Sequence, residues 1–338
     1  MLTQDELNAL KSVFDIHPAG NFEGHIVLQR GRADSLAETV QVALDKLFQR
    51  RYGNNPSTSF LATTGAEARG SSWPGRIPPV TDTKIIVAWN ALMISGLAKA
   101  AQMLGQTYLQ LAIEAAKALL EHQWVDRKLY RLNYAGQASV SAQAKDYALL
   151  IKACLDLQQA TLSIPGATHD IDWLQVARDI QAEFDIALWS WEHGGYYNTC
   201  ANNENLLLRE RSFQDSATPS ANGVAMANLV RLSLLTGDLS YRERAEQGLN
   251  AFGAVIDQIP QACASLITAL DWYRHGTVVK TTSDVAAILL RTYYPVVAFS
   301  STSELPANAT ALVCPGMSCI EPAQTLEQTQ TQIRESVG

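Results

Sequence analysis

Three aspartates stand at similar places in the sequence, each at or just ahead of the start of an apolar helical run. Asp82 precedes the run that begins at Lys84, Asp146 opens "DYALL", and Asp215 lies ahead of the run that starts near Pro219. Side chains at the N-termini of parallel helices gather on one rim, where the helix ends also offer unpaired N–H groups. Carboxylates in one pocket can supply the acid and the base or nucleophile of glycoside chemistry. These three are therefore the candidate catalytic residues.

A structural role is the alternative for the same three aspartates. Asp is among the residues preferred at helix N-caps, where its carboxylate accepts a backbone N–H. The two roles are compatible for different members of the set. A carboxylate whose pKa is raised by burial and by a like charge favours catalysis, whereas carboxylates that are satisfied as caps favour a scaffold.

Polar and aromatic residues near these aspartates are candidate substrate-binding groups. Trp89 and Asn90 interrupt the apolar run "IIVAWNALMISG": the indole offers a flat face for a sugar ring, and the amide faces either a central cavity or a neighbouring helix. Arg209 and Arg211 alternate on a predicted strand, so they point to the same side and can pair with Asp215 or with a substrate anion. The remaining candidates are Tyr147 and Asn222.

Histidines and the common catalytic motifs add little to this set. The six histidines lie outside the predicted buried helices, which argues against a sugar 2-epimerase whose catalytic histidines lie on such helices. His193 is the histidine nearest the expected rim. The sequence contains no Walker A motif, no Rossmann glycine pattern, no Gly-x-Ser-x-Gly and no His-Glu-x-x-His. It therefore predicts neither a cofactor nor a metal site.

Alternating buried and covering helices must position the candidate residues. The run at 84–104 is apolar nearly all round, whereas 107–124 carries polar residues on one face. This pairing recurs at 146–160 with 171–187 and at 219–235 with 241–255, and a lone buried helix follows at 263–273. Such pairs bury their apolar faces only by stacking on one another, either closed as an α/α toroid or open as a solenoid. Strand-like inserts at 128–134, 194–199 and 205–213 favour the toroid.

The C-terminal part changes character, because β-branched runs alternate with short helical runs after residue 276. We therefore predict two domains: a mainly α domain, the toroid, at 1–275, and a small α/β segment at 276–338.

Composition narrows the partners. The chain of 338 residues has a formal net charge of −7 and no long Lys/Arg cluster, so it predicts binding to neither nucleic acid nor a membrane surface. We find no secretory signal and no apolar run long enough to span a bilayer. Five cysteines, an odd and scattered set, indicate a reducing compartment, so we expect a cytoplasmic protein in which Cys314 and Cys319 are unpaired thiols.

Several blocks of the sequence resemble one known family. They are "GNFEG" at 20–24, "DTKIIVAWNALMISGLAKA" from Asp82, "KDYALLIKACLDL" from Lys145, "GGYYNT" at 194–199, "RER" from Arg209, "DSATPSANGVAMANLVRL" from Asp215 and "VCPGMSC" from Val313. Their order and spacing are similar to those of YyaL-like proteins, which are related to the spermatogenesis-associated proteins with a thioredoxin-like domain. The resemblance implies a six-hairpin toroid of the kind shared by glycosidases and sugar epimerases, following a thioredoxin-like domain.

The chain also departs from the family pattern. Thr83 and Ala91 stand where the family has Asp and Gly, and Ser216 and Ala221 both stand where it has Gly. No thioredoxin-like Cys-x-x-Cys segment is present, and the helical pattern supplies about three and a half hairpins plus one N-terminal helix at 33–51. We therefore expect an incomplete toroid, and a partner chain that supplies the missing hairpins or a thioredoxin-like domain.

Two functions follow from this reading. The first is a carbohydrate-active enzyme, or a degenerate relative of the glycosidase or epimerase kind, that acts on a sugar through the rim carboxylates. The alternative is a non-catalytic scaffold or binding module, the C-terminal part of a split thioredoxin-domain protein.

Overall fold

The computed structural model describes residues 2–30, 35–52, 82–164, 171–201 and 208–337, and the chain divides into two compact units, Met1–Thr83 and Lys84–Gly338. The first unit contains helices α1 (Gln4–Val13) and α2 (Glu38–Tyr52). Thr3 caps α1 in a capping box with Glu6, and a small apolar core holds the two helices together: Leu10, Val40 and Ala43. Helix α2 confirms the predicted helix from residue 38 onward, and residues 33 and 34 lie outside the described part.

Three helical hairpins and a single helix form most of the second unit. They are α3 (Val87–Leu104) with α4 (Gln106–Gln123), α5 (Ala144–Leu162) with α6 (Trp173–Leu188), α7 (Ala221–Thr236) with α8 (Leu239–Gln258), and α9 (Ala264–His275). Each corresponds to a helical run in the sequence, with ends displaced by a few residues.

The helices form two layers. Helix α5 packs on both α3 and α7, and α7 packs on α9, while α4, α6 and α8 each cover the inner helix that precedes them. Inner helices α5 and α7 are buried on nearly every side, whereas outer helix α4 buries one face with residues such as Leu109, Ala112 and Ala116. This is the predicted mainly α fold, an arc of an α/α toroid with three and a half hairpins in the described residues.

Aromatic packing fixes the second hairpin to the loop that follows it. Tyr147 stacks on Phe184 with ring centroids 5.0 Å apart, and Phe184 stacks on Tyr196 at 3.7 Å. Trp189 meets the Tyr196 ring edge-on at 4.9 Å. The Tyr196 hydroxyl is satisfied by the Asp185 carboxylate, so this buried aromatic cluster leaves no polar atom of Tyr196 unpaired.

A small antiparallel sheet lies between the first two hairpins. Its central strand β3 (Lys128–Tyr134) pairs with β1 (Ile85–Ile86), β2 (Trp124–Val125) and β4 (Gln137–Ser141), which confirms the strand predicted at 128–134. The strand predicted at 194–199 is wrong. Gly194 and Gly195 both have positive φ and turn the chain, so only a single bridge forms there. Residues 208–213 form no regular strand either, and 205–207 lie outside the described part.

The C-terminal segment is α/β, as expected. Strands β5 (Thr277–Thr281), β6 (Val297–Ser301) and β7 (Ala311–Pro315) form a sheet in the order β6-β5-β7, with helices α10 (Ser283–Leu289) and α11 (Leu326–Ser336). Its core is separate from that of the helical hairpins, but the segment belongs to the same compact unit. The domain boundary between residues 275 and 276 stays a prediction.

A polar contact ties this sheet to the inner helices. The Gln159 side chain on α5 donates to the Phe299 carbonyl at 2.9 Å and accepts the Phe299 N–H at 2.7 Å. Gln159 is buried, so this pair of hydrogen bonds satisfies an amide that water does not reach.

The expectation that Cys314 and Cys319 are unpaired is wrong, because the two residues form a disulfide. The chain turns back at Gly316, which has a positive φ and follows β7 directly. This turn brings the two sulfur atoms together across four intervening residues. The remaining cysteines, Cys154, Cys200 and Cys263, are free. In the part of the chain that the structure describes, no helix is long and apolar enough to cross a membrane.

We predict three titratable thiols in the denatured, unreduced protein. Cys154 and Cys263 are buried, so they react only after unfolding, and the disulfide keeps Cys314 and Cys319 unreactive. Titration with a chromogenic thiol reagent in denaturant checks this count, and the value rises to five after a dithiol reductant is added. Five thiols without reductant would contradict the pairing.

Candidate functional site

A groove of about 430 Å³ lies between the inner helices, and we call it the inner groove. It takes side chains from α5, α7 and α9 and from the segment that leads into α7. The polar and aromatic residues that line it are Lys152, Asp215, Ser216, Thr218, Asn228, Arg231, Ser265, Thr268 and Trp272. It is therefore a concave site in which a few polar groups converge beside one indole ring.

A second cavity of about 380 Å³, the rim pocket, lies at the N-terminal ends of α5 and α7. Its lining is mostly polar and includes Arg131, Gln143, Lys145, Asn198, Glu210 and Ser212. The Lys145 ammonium donates to the Thr218 hydroxyl at 2.8 Å. Lys145 lines the rim pocket and Thr218 lines the inner groove, so this hydrogen bond connects the walls of the two cavities.

Asp146 is fully buried at the start of α5, where its carboxylate joins three elements. It accepts the Ala88 N–H at 3.2 Å, the Gln143 N–H at 2.9 Å and the Arg131 guanidinium at 2.9 Å. Ala88 is the second residue of α3, whose own N-cap residue, Ile86, has no side chain that can cap. Asp146 therefore closes its own helix and also caps the neighbouring inner helix.

The environment of Asp146 differs from that of a catalytic acid. Burial raises the pKa of this carboxyl group, and the hydrogen bonds from Gln143, Arg131 and Ala88 oppose the shift. All of its described neighbours are N–H donors or cations, so the like charge that would mark a carboxylate pair does not contribute. Asp146 lines neither the inner groove nor the rim pocket.

Asp215 has the same kind of role at the next two inner helices. Its carboxylate accepts the Ser220 N–H at 2.7 Å, the Ser265 N–H at 2.7 Å and the Ser265 hydroxyl at 2.5 Å. Ser220 is the N-cap of α7, and Ser265 is the second residue of α9, whose N-cap residue Cys263 makes no side-chain cap. Partial burial opposes ionisation, but the hydrogen bonds from the two serines outweigh it and lower the pKa of Asp215.

Asp82 does not share this arrangement. It is exposed and belongs to the first unit, whereas Asp146 and Asp215 belong to the second. Helix α3 begins at Val87, so Asp82 is too early in the sequence to be its N-cap. The catalytic role of all three aspartates stays a prediction. For Asp146 and Asp215, the structure shows instead that the carboxylates accept N–H groups at helix starts.

Trp89 and Asn90 lie in the first turn of α3. Trp89 is 65% exposed, which leaves its ring open to solvent. The Asn90 amide donates to the Ile86 carbonyl at 2.9 Å, one turn back in its own helix, and the residue is only partly buried. Neither residue lines the inner groove or the rim pocket, and their substrate-binding role stays a prediction.

Tyr147 and Asn222 are core residues in the structure. Burial raises the pKa of Tyr147, and the nearby Glu183 raises it further, while its ring stacks on Phe184. The buried Asn222 side chain accepts the Tyr196 N–H at 2.7 Å and donates to the carbonyls of Tyr196 and Ser212. These contacts hold the loop after α6 against α7, which favours a structural role over contact with a substrate.

Arg209 and Arg211 also hold this loop. Arg209 donates to the Thr199 carbonyl at 3.0 Å and stacks over the Tyr197 ring at 3.9 Å. Arg211 donates to the carbonyls of His193 and Gly194. Among the described residues, neither arginine pairs with Asp215, which accepts hydrogen bonds from Ser220 and Ser265.

Sequence reasoning missed a buried charge cluster in the middle of the inner helices. Asp156 on α5 accepts Lys152 at 2.5 Å and Arg231 of α7 at 2.9 Å, and both Asp156 and Arg231 are buried. Burial opposes ionisation of Asp156, but the two cations hold its pKa below the usual range. The signal was available in the sequence as single charges inside apolar runs: "LLIKACLDL" and "NLVRLSL".

Lys99 on α3 belongs to the same electrostatic environment. Lys99 is exposed, but desolvation of its ammonium group lowers its pKa. The cations Arg231 and Lys152 lower this pKa further, whereas the Asp156 carboxylate raises it. Three cations from three successive inner helices therefore act on one carboxylate. Among the residues that the structure describes, no group of three or more His, Cys, Asp or Glu side chains could hold a metal ion.

We predict that Asp146→Ala lowers the free energy of unfolding by about 3 kcal/mol, because it leaves Arg131 and two backbone N–H groups without their acceptor. Urea unfolding followed by circular dichroism measures the change. Asp179→Ala is the matched control. Asp179 lies on α6 with its side chain 43% exposed, 3.7 Å from Arg127, and accepts a surface hydrogen bond from Gln175, so its removal costs no more than about 0.5 kcal/mol. Equal losses in the two variants would contradict the capping role of Asp146.

The hydrogen bonds of Asp215 predict how the stability of the chain depends on pH. Its pKa is lower in the folded than in the unfolded chain, so its stabilising effect is fully present above about pH 4 and is lost as the pH falls through the folded-state pKa. The difference in unfolding free energy between the wild type and Asp215→Asn is therefore largest near pH 6 and shrinks towards pH 3. Urea titrations over this range measure it. A difference that stays constant with pH would refute the assignment.

The comparisons with known proteins identify relatives of the chain. Human spermatogenesis-associated protein 20 is 30% identical over 268 residues, which cover 75% of this chain and 32% of that protein. The rat protein of the same name is 32% identical over 247 residues, 69% of this chain and 30% of that protein. The chain thus spans about a third of the length of the curated relatives it matches. No family model matches it.

Two solved structures illustrate the structural similarity. An α-mannanase from Bacteroides thetaiotaomicron has 12% identity and a TM-score of 0.45, covering 89% of this chain and 80% of its own. Cellobiose 2-epimerase from Bacillus thermoamylovorans has 14% identity and a TM-score of 0.41, and the match covers 52% of this chain and 46% of that chain. The sequence matches carry the assignment: the chain is a relative of spermatogenesis-associated protein 20, the family that its sequence blocks resemble.

Proposed function

We propose that this chain binds a carbohydrate in the inner groove, and that Asp146 and Asp215 hold the inner helices in place instead of transferring protons. The observation that carries the proposal is the inner groove itself, which joins an indole ring to polar side chains from three inner helices. Of the two functions predicted from the sequence, the proposal takes the binding module from the second and the carbohydrate ligand from the first.

The lining of the inner groove suits a sugar. Trp272 offers a flat apolar ring on which the C–H face of a pyranose can stack. Ser265, Thr268 and Asn228 line the same groove and add hydroxyl and amide groups. Ligand sites of this kind combine apolar area for affinity with a few polar groups for orientation.

The carboxylates do not form the pair that glycoside hydrolysis requires. That chemistry needs one carboxylic acid to protonate the leaving oxygen and a second carboxylate opposite it. Among the described residues that line the inner groove, Asp215 is the one carboxylate, and both of its oxygens already accept hydrogen bonds. Its lowered pKa keeps it ionised near neutral pH, so it is a poor proton donor.

Two further expectations stay predictions. One is the partner chain that supplies the missing hairpins or a thioredoxin-like domain, and the other is a cytoplasmic location. Because the chain spans about a third of its relatives, an activity that needs such a partner is compatible with the binding role proposed for the inner groove.

Calorimetric titration with a panel of mono- and oligosaccharides tests the proposal. Thr268 is exposed on α9 and lines the inner groove, so Thr268→Trp fills the groove and weakens sugar binding by at least about tenfold. Ile267→Trp is the matched control, because Ile267 is 40% exposed on the same helix and does not line the groove. Equal binding by wild type and Thr268→Trp, or no binding by folded wild type, would overturn the proposal.

Proton NMR of the same mixtures separates binding from catalysis. We expect the sugar signals to remain those of the added compound after prolonged incubation with the wild-type chain. New anomeric signals that depend on the protein and vanish in Asp215→Asn would instead support an enzyme that uses a rim carboxylate.

A further inference from the structure

The charges around the buried Asp156 carboxylate do not balance. Lys99, Lys152 and Arg231 come from three successive inner helices, and Asp156 is the carboxylate that they share. The chain as a whole is acidic, with a formal net charge of −7, so this local excess of cations does not follow from composition. Lys99 is exposed, but Lys152 is half-buried and Arg231 is buried, so an excess charge on these two is costly unless a counter-charge is present. Asp215, the carboxylate that lines the groove, accepts its hydrogen bonds from Ser220 and Ser265 and not from these cations.

Arg231 adds an independent observation. It is 7% exposed and lines the inner groove, and one guanidinium nitrogen, Nη2, donates to Asp156 at 2.9 Å. Its Nε is buried and has no hydrogen-bond partner among the described residues. Buried donors are almost always paired, and leaving one unpaired costs free energy, so the Arg231 guanidinium has hydrogen-bonding capacity that these residues do not use.

The Trp272 ring lies beside this donor. The Arg231 guanidinium carbon is 5.7 Å from the ring centroid, and both residues line the inner groove together with Lys152. A ligand that stacks on the indole therefore has its edge close to the cationic groups. Guanidinium and ammonium groups bind carboxylate and phosphate oxygens through charge-assisted hydrogen bonds, which are stronger than neutral ones.

We propose that the ligand of the inner groove carries an anionic group, the carboxylate of a sugar acid or the phosphate of a sugar phosphate, which Arg231 and Lys152 contact. This inference rests on the proposed carbohydrate-binding function and narrows its substrate class. The anionic group supplies a further counter-charge for the cations that share Asp156, and an acceptor for the Arg231 guanidinium.

Calorimetry with matched ligands tests the inference. Glucose, glucuronate, glucose 6-phosphate and inorganic phosphate are titrated at one fixed ionic strength into wild type, Lys152→Gln, Arg231→Gln and the control Lys117→Gln. Lys117 is exposed on α4, so its variant loses the same charge without altering the groove. Thermal unfolding confirms that each variant is folded, and Lys152→Gln keeps the test valid if the buried Arg231 cannot be replaced.

The expected result is that glucuronate or glucose 6-phosphate binds wild type and Lys117→Gln at least about tenfold more tightly than glucose, and that Lys152→Gln loses this preference. Tighter binding of glucuronate indicates a sugar acid as the ligand, and tighter binding of glucose 6-phosphate indicates a sugar phosphate. Equal binding of glucose and the charged sugars would overturn the inference and leave the proposed function intact. Binding of inorganic phosphate with no added affinity for any sugar would overturn the proposed function, and absence of all binding would overturn both.

Discussion

The arrangement of the inner helices depends on carboxylates that cap a neighbouring helix. Helices α3 and α9 begin after Ile86 and Cys263, neither of which makes a side-chain cap, so N–H groups in their first turns need another acceptor. Asp146, on α5, supplies it for α3, and Asp215, ahead of α7, supplies it for α9. Each carboxylate also satisfies the start of its own helix, so one side chain fixes two inner helices against each other.

This constraint explains where ligand chemistry is available. At the rim, both carboxylate oxygens of Asp146 and of Asp215 already accept hydrogen bonds from backbone and side-chain donors. Further along α7, the buried Arg231 retains a donor that no described residue accepts, beside a groove of about 430 Å³. This donor therefore lies beyond the helix N-termini at which the two aspartates act as caps.

Much of the fold was predictable from the sequence, because apolar periodicity reports burial directly. The buried and covering helices, the strand at 128–134 and the α/β tail all follow from it. The strand predicted at 194–199 failed because Gly194 and Gly195 take positive φ values, which composition alone does not reveal. The disulfide between Cys314 and Cys319 depends on the turn at Gly316, and spacing does not specify that turn.

The site was harder to predict than the fold. The position of Asp146 and Asp215 near helix starts was visible in the sequence, but the partners of their carboxylates come from other helices, and a single sequence does not show which helices are neighbours. The charges of Lys152 and Arg231 were visible as interruptions of apolar runs. Their meeting at Asp156 depends on the relative rotation of α5 and α7, which only the packed structure provides.

A crystal structure of the chain grown with glucose 6-phosphate tests the central claim most directly. The account predicts a sugar ring on Trp272 in the inner groove, phosphate oxygens within hydrogen-bond distance of Arg231, and Asp146 still bound to the Ala88 N–H. A sugar bound instead against Asp146 or Asp215, with their capping hydrogen bonds broken, would contradict it.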